Sequence, residues 1–216
     1  MNYDKESFIQ GLRVGLALGR KPKTMVKRGP YLAFSSQSNF TLEVYNNQKN
    51  WNGTLEYSID TINWSTWDGT TILSSINGKL YLRGIGNTYI SDYNDTQRFV
   101  LVGNLISCTG NIENLLDYNS VTNGIHPNMR SYCFAYLFSG CTSLIVAPEL
   151  PATTLSSYCY YDMFGGCTSL ISAPELPATT LAYGCYEYMF SGCTSLVNTP
   201  ELPATTLAGS CYFFMF

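Results

Sequence analysis

The sequence predicts a mainly β protein that ends in a repeat array. A 26-residue unit, CTSLIVAPELPATTLSSYCYYDMFGG, begins at Cys141 and returns with few changes at Cys167 and Cys193. Short runs of alternating apolar and polar residues precede the array, and a helical pattern precedes those runs. Self-similarity at a fixed period of this length is typical of a solenoid, in which each unit buries its apolar face against the next.

Residues 1–30 predict a short amphipathic helix followed by a basic linker. Phe8, Leu12 and Leu16 recur at helical spacing, and Ser7 can cap the first turn. Glycines and an arginine interrupt the apolar run, so the segment lacks both the apolar stretch of a signal peptide and the length of a membrane span.

Residues 31–104 predict a β-sandwich-like module of immunoglobulin-like size. The runs FTLEVY, GTLEYSI, KLYLRGI and RFVLVG are rich in β-branched and aromatic residues, and segments rich in Gly, Asn and Asp separate them. Short strands with turn signals at this spacing are typical of an all-β sandwich.

The repeat units align into apolar columns that predict a buried interior. Cysteine is often fully buried and packs as a small hydrophobe, which suits a position between two coils. The columns are Cys141, Cys167, Cys193; Leu144, Leu170, Leu196; Leu150, Leu176, Leu202; Leu155, Leu181, Leu207; Cys133, Cys159, Cys185, Cys211; and Phe138, Phe164, Phe190, Phe216.

Each unit is predicted to contain a short strand, a bend and a helical turn. Pro148 and Pro151 bracket an extended bend, because proline removes a backbone donor and disfavours helix for the preceding residue. The segment from Ser157 to Phe164 lacks proline and places its apolar residues on one helical face, which predicts one or two turns of α- or 3₁₀-helix.

These units resemble the BspA-like leucine-rich repeats, which run through phenylalanine, glycine-cysteine, serine-leucine and a short strand near proline. The resemblance rests on MFGGCTSLISAPELPATTLAYGCY and its copies and covers about 131–216, with ISCTGNIENLLDY and IHPNMRSYCFAYLF similar to divergent first repeats. It implies a leucine-rich repeat solenoid over 105–216. The whole layout is also similar to proteins encoded by gut bacteria and their phages, which implies a non-catalytic binding protein of a virion or a cell surface.

The third copy of the unit stops within the repeat at Phe216. A solenoid needs a terminal cap over its last coil. We therefore expect either a longer array, of which these residues are a fragment, or self-association through the uncapped end.

Charge distribution argues against nucleic-acid binding. All 12 Lys and Arg lie at or before Arg130, whereas residues 131–216 carry five acidic residues and no basic one. Contacts with phosphate groups require a basic surface.

The sequence predicts neither an enzyme nor a cofactor or metal site. Its eight cysteines lack metal-ligand spacing, and His126 is the one histidine available as a base. We expect reduced, buried thiols; disulfides between adjacent coils stay open as an alternative, because neighbouring coils lie within the Cα separation that a bridge allows.

Surface tyrosines and a column of glutamates are the candidate binding residues. Exposed tyrosines favour recognition of protein or glycan, and the glutamates could accept a basic partner or a divalent cation, or simply be a solvated face. A carbohydrate-active enzyme is the less favoured alternative. We expect the protein on a virion or bacterial cell surface, although the absence of a visible signal peptide leaves a cytoplasmic location open. The candidates are Tyr158, Tyr160, Tyr161, Tyr183, Tyr186, Tyr188, Tyr212, Glu149, Glu175 and Glu201.

Overall fold

The computed structural model describes residues 29–93 and 98–216. The helix and most of the basic linker predicted within residues 1–30 lie outside the described residues. The strands are β1 (Leu32–Ser35), β2 (Thr41–Val44), β3 (Thr54–Ser58), β4 (Ser65–Trp67), β5 (Leu73–Ser74), β6 (Lys79–Ile85), β7 (Phe99–Val102), β8 (Ile106–Thr109) and β9 (Leu144–Val146). One α-helix, α1 (Asn114–Thr122), and a 3₁₀ turn at Tyr45–Asn47 complete the regular elements of the described chain.

The strands form one mixed sheet and one antiparallel sheet. The larger sheet has six strands in the order β4-β3-β6-β1-β8-β9, and the smaller has three in the order β5-β2-β7. All neighbouring strands are antiparallel except β8 and β9, whose parallel register pairs Ile106 with Leu144. The large sheet thus joins the first strands of the chain to the first repeat.

The four alternating runs named above each contain a strand, and this part of the prediction is confirmed. Along β6, Leu80 and Leu82 point into the core while Tyr81 and Arg83 lie on the other face, as the two-residue period of a half-buried strand requires. The same alternation in β1 buries Leu32 and Phe34.

Helix α1 packs against β6 at the start of the repeats. Its Asp117 is extended (φ −155°, ψ 99°), which kinks the helix after its first turn. The buried amide of Asn87 donates from Nδ2 to the carbonyl of Leu115 at 3.0 Å and to that of Thr54 at 2.8 Å. One side chain therefore joins β3, the end of β6 and α1.

The repeats stack on one another through turns rather than through regular secondary structure. Between 158 and 166, backbone N–H groups alternate between two acceptors. Tyr158, Tyr160 and Asp162 donate to carbonyls 25 positions further along the chain, at 2.9–3.1 Å. The residues between them donate to the carbonyl three positions back, as Tyr161 does to Tyr158. We call this set of stacked turns, residues 131–216, the repeat stack.

The predicted fold class is wrong. The structure is mainly β with one short helix and with mixed and antiparallel sheets, and no leucine-rich repeat solenoid is evident in the described residues. The helical turn predicted at Ser157–Phe164 is absent because Tyr158 and Asp162 have φ of 55° and 48°, a left-handed backbone that breaks any right-handed helix.

The predicted strand of each unit is present as a strand in β9 alone among the described repeats. Its equivalents reduce to isolated parallel bridges, Val146 with Ser172 and Ser172 with Asn198. A proline two residues after each of these positions, β9 included, removes a backbone donor and limits the ladder. Strand β9 is longer because it also pairs with β8.

A single hydrophobic core connects the sheets to the repeat stack. Trp67 of β4 contacts Phe99 of β7, and Phe99 contacts Phe138 of the first repeat, with ring centroids 5.8 and 5.9 Å apart. Phe138, Phe164 and Phe190 then stack in parallel at 5.7 Å. The sheets therefore cover one end of the repeat stack. No helix in the described residues combines the length and the apolar character needed to cross a membrane.

Candidate functional site

Two of the predicted surface tyrosines lie in the interior, which corrects that part of the prediction. Tyr160 and Tyr186 are fully buried. The Tyr160 ring lies between those of Tyr186 and Phe134, with centroid separations of 5.8 Å and 5.9 Å. Tyr212 is partly buried and continues this column by stacking on Tyr186 at 5.8 Å. These three rings pack between repeats because the turns bury side chains in adjacent pairs: Cys159 and Tyr160 are buried, whereas the next two residues are not.

The remaining four predicted tyrosines lie together on one outer face. They form part of a continuous aromatic cluster, which we call the tyrosine surface: Tyr93, Tyr132, Tyr136, Tyr158, Tyr161, Tyr183, Tyr188, Phe213 and Phe214. Tyr183 and Phe214 are 51% and 60% exposed. The sequence prediction missed Tyr132, Tyr136 and the two phenylalanines, although each occupies the same place in its repeat as a tyrosine that was named.

Ring contacts hold the tyrosine surface in a fixed arrangement. Tyr132 and Tyr158 stack at 4.7 Å with planes only 6° apart, and Tyr183 meets Tyr158 edge-on at 5.3 Å. Tyr161 lies edge-on to Tyr188 at 5.7 Å. Offset and edge-to-face pairs are the favoured arrangements of aromatic rings, so the cluster pre-organises its own side chains.

The tyrosine surface coincides with the positions at which the repeats differ from one another. The stretches APELPATTL and TPELPATTL and the interior Cys and Phe columns are nearly constant, whereas SSY, AYG and AGS follow them in successive repeats. Likewise YD, EY and FF stand before the conserved Met-Phe pair. The constant positions form the scaffold of each repeat, and the variable positions give each repeat different side chains on the tyrosine surface.

Burial raises the pKa of three phenols of this surface, those of Tyr132, Tyr158 and Tyr161. Burial, together with the neighbouring Tyr183 and Tyr132, raises the pKa of Tyr158 to about 12. Burial is also the main cause that raises the pKa of Tyr132 and Tyr161 above the ordinary value of 10.0. These side chains can therefore donate and accept hydrogen bonds through neutral hydroxyls.

The predicted glutamate column lies on the exposed surface. Glu149, Glu175 and Glu201 are all exposed. The backbone of Glu149 also bridges to Asn111 in parallel register, which ties the first of these positions to the segment after β8. No group of three or more potential metal-ligating side chains is found among residues 29–93 and 98–216.

The eight cysteines are free and buried, so the predicted burial is confirmed. Cys141, Cys167 and Cys193 donate from Sγ to the carbonyls of Phe99, Phe138 and Phe164, at 3.1–3.2 Å. Burial raises the pKa of Cys141 to about 12 and that of Cys193 to about 11. Thiols with such values are poor nucleophiles at neutral pH, which fits a packing role.

His126 pairs with a buried carboxylate that the sequence did not reveal. Its Nδ1 lies 2.9 Å from both carboxylate oxygens of Glu113, whose side chain is 1% exposed. The two residues are 13 positions apart, and helix α1 brings them together. Burying a carboxylate without a partner carries a large desolvation cost, and His126 provides that partner for Glu113.

A shallow depression of about 340 Å³ lies at the last repeat. Phe190, Cys193, Leu196 and Phe216 contribute its apolar lining, together with threonine, asparagine, valine and glycine. The lining contains no carboxylate, lysine or histidine, so it offers no acid or base beyond the buried thiol.

Comparison of the chain with protein-family models, curated proteins and solved structures gave no match.

Proposed function

We propose that this protein is a non-catalytic recognition protein that binds a protein or a glycan through the tyrosine surface. The observation that carries the proposal is the coincidence of exposed, pre-organised aromatic rings with the variable positions of otherwise near-identical repeats. Tyrosine provides a large contact area at a small cost in conformational entropy, and a contiguous exposed aromatic patch is typical of an interaction site.

The chemistry of the described residues supports recognition over catalysis. The thiols are buried and donate to backbone carbonyls, and Nδ1 of His126 is committed to Glu113. A nucleophile needs a base within hydrogen-bond reach, and the depression at the last repeat offers none.

The setting that we propose is a phage virion or a host-attachment structure, with a bacterial surface adhesin as the alternative. The sequence resemblance of the repeats supports both settings. Mass spectrometry of purified virus-like particles against cell envelopes from the same source separates them. Enrichment in particles supports the first, and enrichment in envelopes alone overturns it.

The recognition proposal is tested by removing exposed rings without disturbing the core. We expect the Tyr183→Ala/Phe214→Ala variant to bind a panel of gut bacterial cells and immobilised glycans at least about tenfold more weakly than the unmodified chain. Truncation of a central aromatic residue commonly costs about 2 kcal/mol in an interface.

Tyr45→Ala is the matched control, because Tyr45 is also an exposed tyrosine but lies after β2. This variant should bind as the unmodified chain does. Equal binding by all three proteins, with unchanged circular dichroism, would overturn the assignment of binding to the tyrosine surface.

A further inference from the structure

Two carboxylates lie next to rings of the tyrosine surface, at positions that are aromatic in neighbouring repeats. Glu187 takes the place held by Tyr161 one repeat before and by Phe213 one repeat after. Asp162 takes the place held by Tyr136 before and by Tyr188 after. Acidic groups are therefore set among rings at the positions that distinguish one repeat from the next.

The Glu187 carboxylate lies against the ring of Tyr158. Both converge over Gly184, where a methyl group would overlap the Tyr158 ring and come within 2.9 Å of Glu187 Oε2. Gly184 stands where Tyr132 and Tyr158 stand in the two preceding repeats. The Tyr158 ring fills the space that a side chain at position 184 would take, and the Glu187 carboxylate lies beside it, partly exposed.

Glu187 has no cationic partner within the described chain. No hydrogen bond or ion pair of its carboxylate is found among residues 29–93 and 98–216, whereas Asp162 accepts from the Ser139 hydroxyl at 2.8 Å. The side chain is partly buried, and this burial raises its pKa. A partly desolvated carboxylate without a partner is stabilised when a cation binds to it.

The repeat stack supplies no such cation, because residues 131–216 contain neither lysine nor arginine. Arg130, at the edge of the stack, is already bound to Asp92 at 2.7 Å and lies 4.1 Å from the Tyr89 ring centroid. Within the repeat stack, therefore, no cation pairs with Glu187, and a ligand that carries a positive charge can do so, whereas an acidic glycan would be repelled.

The same chain shows how a cation fits such surroundings. Arg83 lies between the rings of Trp64 and Tyr118, 4.0 and 4.4 Å from their centroids, and its Nε donates to Glu56 at 2.7 Å. A guanidinium group combines stacking on aromatic faces with hydrogen bonds to a carboxylate. Around Glu187 the rings and the carboxylate are present, and the guanidinium is absent.

We propose that Glu187, together with Tyr158, Tyr183 and Tyr188 of the tyrosine surface, binds an arginine side chain of a partner protein. This inference rests on the proposed recognition function and specifies the chemistry of the ligand. The guanidinium group stacks on the ring of Tyr183, which is 51% exposed, and donates to the Glu187 carboxylate, while the other rings cover the neighbouring residues of the partner.

The test uses a short synthetic peptide with two arginines between glycines, and the same peptide with citrulline, which is neutral and nearly isosteric. Calorimetric titration should show saturable binding of the arginine peptide to the unmodified chain. The citrulline peptide should bind at least about tenfold more weakly, because a charge-assisted hydrogen bond is roughly twice as strong as a neutral one and the cation–ring attraction is also lost.

Glu187→Gln should weaken binding of the arginine peptide at least about tenfold. Glu201→Gln is the matched control: it removes an exposed carboxylate of the repeat stack outside the tyrosine surface and should leave binding unchanged. In a titration of the unmodified chain followed by ¹H–¹⁵N NMR, the amides of Gly184 and Tyr188 should shift, while that of Asn198 should not.

Binding that is equal for arginine and citrulline, or unchanged in Glu187→Gln, would overturn the inference, as would no binding of the arginine peptide at all. None of these results removes the recognition function, which stands or falls with the loss of cell or glycan binding in the Tyr183→Ala/Phe214→Ala variant.

Discussion

Gly84 shows how one residue can set the distance between a sheet and a helix. A methyl group at this position in β6 would overlap the backbone carbonyl of Leu115, and that oxygen cannot withdraw unless α1 moves. We expect Gly84→Ala to lower the free energy of unfolding by about 3 kcal/mol, the upper range for overpacking in a core. Urea unfolding followed by circular dichroism measures the difference.

Gly86→Ala, two residues along the chain, is the matched control. No atom lies within 4 Å of the added methyl group there, but φ is +64°, so the substitution carries only the strain of a left-handed backbone, about 1 kcal/mol. An equal loss in both variants would show that close packing on α1 is not the reason for glycine at position 84.

At the level of single residues, the sequence predicted the interior columns better than the surface. The cysteines and Phe138, Phe164 and Phe190 are buried as expected, because their identity repeats every 26 residues and the core requires it. In the last unit the prediction is wrong for three column members, because no further unit of the described chain covers them: Leu202, Leu207 and Phe216 are 42%, 66% and 54% exposed. Tyr160 and Tyr186 were assigned to the surface, since neighbouring tyrosines look alike in the sequence. Only the alternating turns decide which of two adjacent rings points inward.

The buried cysteines of the two columns make the repeat stack less stable at alkaline pH. Burial raises the pKa of Cys185 and Cys193 from the ordinary value of 9.0 to about 11. A group whose pKa is higher in the folded state contributes its full stability below the unfolded value and loses it as pH rises toward the folded value. The contribution of these thiols to the free energy of unfolding should therefore be constant below pH 9 and fall between pH 9 and 11.

Unfolding in urea at fixed ionic strength across this pH range provides the measurement. Cys193→Ala removes one of the titrating thiols, so its stability should fall less steeply between pH 9 and 11 than that of the unmodified chain. Identical slopes in the two proteins would contradict a buried, protonated thiol at position 193.

At the level of elements, strands were predictable and the turns of the repeat stack were not. In β2, β3, β6 and β7 the two-residue alternation is local, and the runs themselves reveal it. The segment from Ser157 to Phe164 has apolar residues at spacings that also suit a helix. Its conformation depends on acceptors 25 residues away, such as the Glu187 carbonyl that receives the Asp162 N–H, and no local pattern encodes that pairing.

Across the whole molecule, the repeat stack behaves as a set of interchangeable units attached to a sheet. The Phe138 N–H donates to Met163, that of Phe164 to Met189, and that of Phe190 to Met215, at 2.7–3.0 Å. Because each unit makes the same contacts with the next, one unit can follow another without a change in register. The variable surface positions are then free to differ from repeat to repeat.

Deleting residues 167–192 tests this interchangeability, because Gly166 then precedes Cys193 just as Gly192 does now. The Phe164 N–H should meet the Met215 carbonyl, and the Phe164 ring should stack on Phe216, as Phe190 does at 5.7 Å. We expect a cooperatively folded protein of lower stability, seen by circular dichroism and urea unfolding. It should no longer bind the arginine peptide, since Tyr183, Glu187 and Tyr188 are gone.

The matched control deletes 167–179, half a repeat, and places the cysteine and phenylalanine columns out of register. That protein should lose its cooperative unfolding transition, because apolar side chains would face solvent and the backbone donors of residues 158–166 would lose their acceptors. Equal damage from both deletions would contradict the picture of interchangeable units. A folded 26-residue deletion that still binds the arginine peptide would instead move the binding site away from Glu187, so the two parts of the prediction can fail separately.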